Sequence, residues 1–407
     1  MLYLKNATLV DVSQPEIMKS SDLFIRDGKI SWIGKESQPA ECKEAQIVDA
    51  SGSYIVPGMV NMHEHQTFKR QVGILFGPAG SFHGVSEATM TFRAVRSALF
   101  SLRSGITTIC DVCAPYTISY DMKKAIQTGV LPGPRMMISG KAIGITGGHA
   151  RELCVEVDSR VEILKAVREL LHSGVDMIKL ICSNEPVFFD DGREPVVAEL
   201  PAELIQAASE EVHRNGKLIG VHAMGTEQVG NAIEAGVDII HHGAFLTPEL
   251  ARKMKQKNIT LVPTLSSYTQ TSHPVFERGE EWAAKHKRLY PAFESAFRAA
   301  LAEGVHVAAG TDSVGDFVEE LTLMHEFGMP IEDCLKVASY NGTVSLRLNN
   351  ILGSLEVGKI ADMVLLEANP LDDLDNLRKI KLVIKDGAVY NLENLTLQNV
   401  SARSFVE

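Results

Sequence analysis

No apolar run in this 407-residue chain approaches the roughly 20 residues that a helix needs to span a bilayer. Positive charge is also short: 40 Lys and Arg stand against 51 Asp and Glu, a net charge of −11. Nucleic acid and anionic membrane surfaces both require a basic footprint, so neither is expected as a partner. The opening residues "MLYLKNATLVDV" have no basic leader, apolar core and small-residue cleavage site, so no signal peptide is expected and a cytoplasmic location is. Cysteine is sparse, six in all, which suits reduced cytosolic thiols better than a disulfide framework. Cys110 and Cys113 have C-x-x-C spacing, but they lie in an apolar strand-like run with no second pair and read as buried thiols. Neither G-x-G-x-x-G after a strand nor G-x-x-x-x-G-K-[ST] occurs, which removes the common nucleotide-binding loops.

What is present fits a soluble globular enzyme: 45% hydrophobic and 22% charged residues, with a length suited to one large domain plus a smaller satellite. From about residue 54 to 311, short β-branched runs alternate with stretches of helical periodicity. Strands are expected at 54–62, 105–112, 135–140, 175–182, 217–222, 237–242, 259–264 and 305–311. Helices are expected between them, for example over 159–174 and 201–216, each ending in the glycine that often closes a helix. Eight strands alternating with helices argue for an α/β fold of the (β/α)8 TIM-like barrel type. The two ends read as strand and turn, and "RDGK" and "KDGA" carry Asp-Gly hairpin signals. Residues 1–56 and 353–407 are therefore expected to combine into a small β-sandwich domain built from both termini, beside a barrel over 57–352.

The chemistry-bearing residues fall at strand ends. His63 and His65 close the first run, in "VPGMVNMHEHQTF", and alternation puts both on one face with Glu64 on the other. Two neutral imidazoles at the C-terminal mouth of a barrel strand can ligate zinc or a similar ion. His222 closes "KLIGVHA", His241 and His242 close "VDIIHHG", and Asp312 follows "VHVAAGTD". Lys179 lies in the apolar strand "VDMIKLICS", where an unpaired ammonium is costly. All are expected at one rim. Alternation lets only one of His241 and His242 enter the barrel, and strand geometry alone does not choose between them. His306 shares parity with Asp312 but sits about 20 Å lower along the strand, near the floor, where a structural role is expected.

These runs, in this order, resemble the amidohydrolase superfamily. "VPGMVNMHEH" is similar to its PG-(hydrophobic)-(D/N)-x-H-x-H opening; "IKLICS", "VHAMG", "IIHHG" and "AAGTDS" are similar to its strand-four lysine, strand-five and strand-six histidines and strand-eight aspartate. "ILGSLEVGKIADMVLLEANPLDDL" resembles its return into the β domain. The branch most alike is that of Xaa-Pro and Xaa-Arg dipeptidases and imidazolonepropionase. The resemblance implies two divalent metal ions, usually zinc, bridged by Lys179 carboxylated by carbon dioxide. His63, His65 and Asp312 would hold one ion; His222 with His242, the histidine that precedes glycine, would hold the other. A hydroxide bridging the ions would attack an amide-like C–N bond of a small-molecule substrate, a dipeptide or N-acyl amino acid as first choice, with Asp312 as the base. His149, in "ITGGHARE", would contact the scissile carbonyl oxygen.

Three further positions are candidates for the substrate pocket: Arg151 as a carboxylate partner, Tyr268 after strand seven, and Met224, which stands where the dipeptidase-like members often carry tyrosine. The loop "NEPVFFDDGREP" also lacks the Gly-rich continuation common there. A homo-oligomer is expected. The alternatives are a mononuclear deaminase of a heterocyclic amine, a hydrolase of a urea, carbamate or lactone, and last a non-catalytic scaffold. Gly225, where deaminases place glutamate, and the presence of Lys179 count against the deaminase.

Overall fold

The computed structural model describes residues 1–68, 85–186, 194–269, 280–313 and 315–391. Part of the loop 184–195 and the terminal stretch 392–407 discussed above lie outside the described residues. Both chain ends enter one mostly antiparallel eight-stranded sheet. Its strands are Leu2–Val10, Met18–Arg26, Lys29–Gly34, Gln46–Asp49 and Tyr54–Pro57 from the first end, with Met363–Leu366, Ile380–Lys385 and Ala388–Asn391 from the second. Tyr54–Pro57 stitches them, parallel to Leu2–Val10 on one side and antiparallel to Met363–Leu366 on the other. Both Asp-Gly hairpins form: Asp27 and Gly28, like Asp386 and Gly387, have positive φ at both turn positions, as a two-residue hairpin loop requires. The two tips meet so closely that a Cβ on Gly387 would lie 2.7 Å from the Cα of Gly28.

The expected strand 54–62 divides at Gly58, where a Cβ would lie 2.2 Å from Thr107 Oγ1. Tyr54–Pro57 joins the terminal sheet, and Met59–Glu64 opens the barrel. Ile106–Asp111 and Arg135–Ile138 follow in parallel. A second parallel set comprises Ala142–Gly144, Met177–Ile181, Leu218–Ala223, Ile239–His242 and Thr260–Val262, with Cys154–Glu156 at its edge. The expected strand 135–140 ends early, at Ile138, where Gly140 at φ +63 against the Tyr120 hydroxyl turns the chain, and Ala142–Gly144 beyond it is a further strand that was not expected. Among the described residues the last expected strand, 305–311, makes one bridge, Val307 to Leu261. Backbone bonds still close the barrel through it: Ala308 N–H donates to Leu261, and Met62 N–H donates to Ala309. The result is the TIM-like barrel with a terminal β sheet.

Helices cover the outside where their periodicity said they would. Arg160–His172 starts at Ser159, whose hydroxyl accepts from Glu162 N–H, and Ala202–Arg214 is followed by Gly216 at φ +68. Inside, Val60, Met62, Cys110, Met177, Leu218, Ile239, Val262 and Ala308 pack into a plug below the rim. Arg135 ties barrel to sheet, its guanidinium 2.6 Å from Asp362 and also paired with Asp386. All six cysteines are buried and free. Among the described residues no helix is long and apolar enough to cross a membrane.

One buried carboxyl gives the fold a pH signature. Burial pushes Glu320, in the helix Phe317–Glu326, up from 4.5 to about 8; backbone N–H groups of Ser266 and Leu265 and the Ser266 side chain oppose the rise, and neighbouring Glu319 adds to it. A raised folded value means that the proton is held more tightly in the folded state. The stabilisation is therefore complete below about pH 4.5 and is lost as pH rises through about 8. The melting temperature of metal-free protein, measured relative to Glu320→Gln, should fall across that window and level off above it. A flat difference would show that Glu320 does not titrate there.

Candidate metal centre

The rim is assembled by hydrogen bonds between the first and last barrel runs. Asn61, fully buried, donates through Nδ2 to Glu64 Oε2 at 2.9 Å and to Thr311 Oγ1 at 2.7 Å, and its Oδ1 accepts from His63 N–H and Thr311 N–H at 3.2 Å each. The His63 carbonyl accepts from Thr311 N–H and Asp312 N–H at 3.0 and 2.8 Å. Gly310 permits this contact, since a Cβ there would lie 2.8 Å from that of His63. His63 and His65 converge as alternation predicts, their Nε2 atoms 3.2 Å apart. His65 Nδ1 sits 3.3 Å from the Cys113 carbonyl, and its Nε2 faces the centre. Phe68 stacks on the His65 ring at 4.5 Å. Asp312 adopts φ +54, which places Oδ1 3.3 Å and Oδ2 4.0 Å from the Nε2 atoms of His65 and His63.

Lys179, His222, His241 and His242 arrive from the neighbouring strands. The expectation that only one of His241 and His242 enters the barrel is corrected. His242 has φ +74, and this left-handed turn ends the strand alternation. Both rings consequently meet His63, at centroid distances of 4.6 and 5.0 Å. His241 packs over Gly220, where a Cβ would lie 2.8 Å from its Nε2. His242 Nδ1 meets the Thr264 hydroxyl at 2.7 Å, and its ring lies 4.5 Å from that of His222.

Electrostatics favour neutral bases. Burial first, and then the charge of Lys179, hold His63 well below its usual value, and burial brings His242 down to about 3. His222 and His241 are lowered by burial in the same way. Burial brings the Lys179 ammonium down from 10.5 to about 7, with Asp312 opposing. Asp312 would be raised by burial, but the hydrogen bond and charge of His65 outweigh this and hold it ionised. Among the described residues, Lys179 Nζ, His63 Nδ1, His222 Nε2 and both His241 nitrogens have no hydrogen-bond partner. Buried nitrogens in that state are rare unless a cation or ligand completes them.

Among the described residues two groups can hold a metal ion: His63, His242 and Asp312, and His149, Glu185 and His222, the donor atoms of each lying within 4.8 Å of one another. Four buried imidazoles held neutral, with His65 and an ionised carboxylate beside them, form a donor set suited to a divalent ion. Glu185 was not legible in the sequence, since a lone loop glutamate has no periodic signal. It lies 3.6 Å from His149 Nε2 and accepts from the Tyr268 hydroxyl at 3.0 Å, so His149 and Tyr268 are brought to the centre. Arg151 is exposed on the turn Arg151–Leu153. Met224 is fully buried in the main apolar cluster. His306 Nε2 meets the Asn341 carbonyl, which accepts, at 3.1 Å.

Comparison with known proteins agrees with this geometry. Over 409 aligned residues the chain is 26% identical to ochratoxinase of Aspergillus niger, covering 90% of this chain and 82% of that one. A crystal structure of a Xaa-Pro dipeptidase with methionine bound in its active site superposes with a TM-score of 0.84 at 28% identity, covering 96% of this chain and 99% of the other. Molinate hydrolase, at 21% identity and TM-score 0.82 over 97% and 96% of the two chains, shares the fold. The amidohydrolase family pattern matches residues 54–390. The likenesses to ochratoxinase and to the Xaa-Pro dipeptidase, with the family match, support a metal-dependent hydrolase. The chain belongs to the amidohydrolase family.

Proposed function

We propose that this protein hydrolyses an amide-like C–N bond, with a dipeptide or N-acyl amino acid as substrate, using two divalent ions, zinc as first choice, held by His63, His65, Lys179, His222, His242 and Asp312. The observation that carries the reading is the convergence of these groups at one barrel rim with buried nitrogens left unpartnered. Likeness to a Xaa-Pro dipeptidase and to ochratoxinase supports the choice of substrate class. Bound ions at such a site polarise a carbonyl and lower the pKa of water. Around them Asp312, ionised and within reach of His65, accepts a proton and delivers it to the leaving nitrogen. His149, part-exposed beside His222 at a ring distance of 4.9 Å, is placed to donate to the substrate carbonyl oxygen. Lys179, buried and brought down to about 7, keeps a substantial share of neutral amine near neutral pH, which suits it to take up carbon dioxide as a bridging carbamate with release of a proton.

Elemental analysis of protein purified with bicarbonate tests the reading. About two equivalents per chain, with turnover of dipeptides or N-acyl amino acids, is the expected result. About one equivalent would point to the deaminase, and none after reconstitution to a scaffold. The two adjacent histidines give a finer check. His242→Ala should release a metal ion, whereas His241→Ala should leave both in place. The reverse pattern would overturn the choice of His242.

A further inference from the structure

Behind His242 runs a chain of contacts that the proposed reaction does not use. The Thr264 hydroxyl meets His242 Nδ1 at 2.7 Å and donates to the Pro263 carbonyl at 2.7 Å. A hydroxyl has one proton. With that proton on Pro263, Thr264 can only accept from the ring, so His242 is Nδ1-protonated and its Nε2 keeps a lone pair. Thr264 does this from φ +53, a left-handed conformation that β-branched residues rarely adopt and that the surroundings must enforce. The two amides that follow show what enforces it. Leu265 N–H and Ser266 N–H donate to the two carboxyl oxygens of Glu320 at 3.0 and 2.7 Å, and Glu320 has no solvent exposure. One residue on, Ser267 Oγ donates to the Thr311 carbonyl at 2.6 Å, beside Asp312. The turn 264–267 is thus clamped from the helix that follows Asp312, and that helix is anchored by its cap residue Asp316, which pairs with Arg378.

We infer that Glu320 is a positioning residue for the centre: by holding the Thr264–Ser266 turn it sets the tautomer and aim of His242. That aim serves metal binding only if His242 is a ligand, so this part rests on the function proposed above. The tautomer does not depend on it.

The test uses metal-free protein with 15N-labelled histidine rings, the His242 signal being identified by its loss in His242→Gln. Wild type should show the Nδ1–H form alone. Glu320→Gln keeps one acceptor and turns an N–H group toward a backbone N–H, so it should shift His242 to a mixed tautomer. Thr264→Val should do the same, and Thr264→Ser, which restores the hydroxyl, should behave as wild type. If Glu320→Gln does not fold, Glu320→Asp, one methylene short, should give the same shift. Zinc affinity should weaken about 10- to 100-fold in Glu320→Gln, and the loss should overlap rather than add to that of Thr264→Val. A wild-type His242 tautomer in the Glu320 variants, or an Nε2–H form in wild type, overturns the inference. Additive affinity losses also overturn it. A shifted tautomer in a protein that binds no metal would leave the positioning role standing and remove the metal reading.

Discussion

Lys179→Met should leave a protein that melts at or above the wild-type temperature yet holds no more than one metal ion per chain. Lys179 is 1% exposed, its amine has no hydrogen-bond partner among the described residues, and burial has already brought it down to about 7. A buried polar group without a partner costs stability, so an apolar side chain of similar length should be neutral or stabilising. A lysine kept for packing alone would thus be better replaced. If it bears a carbamate between two ions, the same change removes one anionic ligand and leaves only the carboxylates of Asp312 and Glu185 in the two metal-holding groups found among the described residues. Lewis-acid assistance is worth several kcal/mol, and each 1.36 kcal/mol is tenfold in rate, so kcat/KM should fall at least about 10³-fold. The decisive measurement is metal content and turnover on the same preparation, made with bicarbonate present. Two equivalents and normal turnover in Lys179→Met would remove the carbamate from the account.

Asp312→Asn separates holding a metal ion from moving a proton. Asp312 sits at φ +54, a region that asparagine tolerates, so the backbone should not object. The amide oxygen can still accept from Ser313 N–H, as Oδ1 does now at 2.6 Å, and can still face the His65 side of the centre. What the amide cannot do is take a proton. We expect two metal ions to be retained, little change in melting temperature, and kcat lower by about 10²- to 10⁴-fold, the usual contribution of a general base. Unchanged turnover would sink the proton-transfer role. Loss of metal together with activity would show instead that Asp312 acts chiefly as a ligand.

The amino-acid sequence by itself determined the barrel, the terminal sheet and most of the rim. Local signals suffice for these: β-branched runs with period two, helices closed by glycine, and the Asp-Gly pairs at 27–28 and 386–387, whose positive φ makes a two-residue turn. His63 and His65 converge because alternation holds along their strand, and Lys179 announces itself as a cation in an apolar run. Tertiary structure decided where those periods stop. Alternation assumes extended dihedrals, so the left-handed turn at His242, which brings His241 and His242 together on His63, is invisible to it. The early end of the third strand and the contact of the last run with His63 involve close approaches at Gly140 and Gly310. Glu185 and Glu320 gain their places only when loops and helices remote in sequence pack against the rim. A hydrogen bond between distant residues has no period in sequence, and only the folded chain shows which donor meets which acceptor.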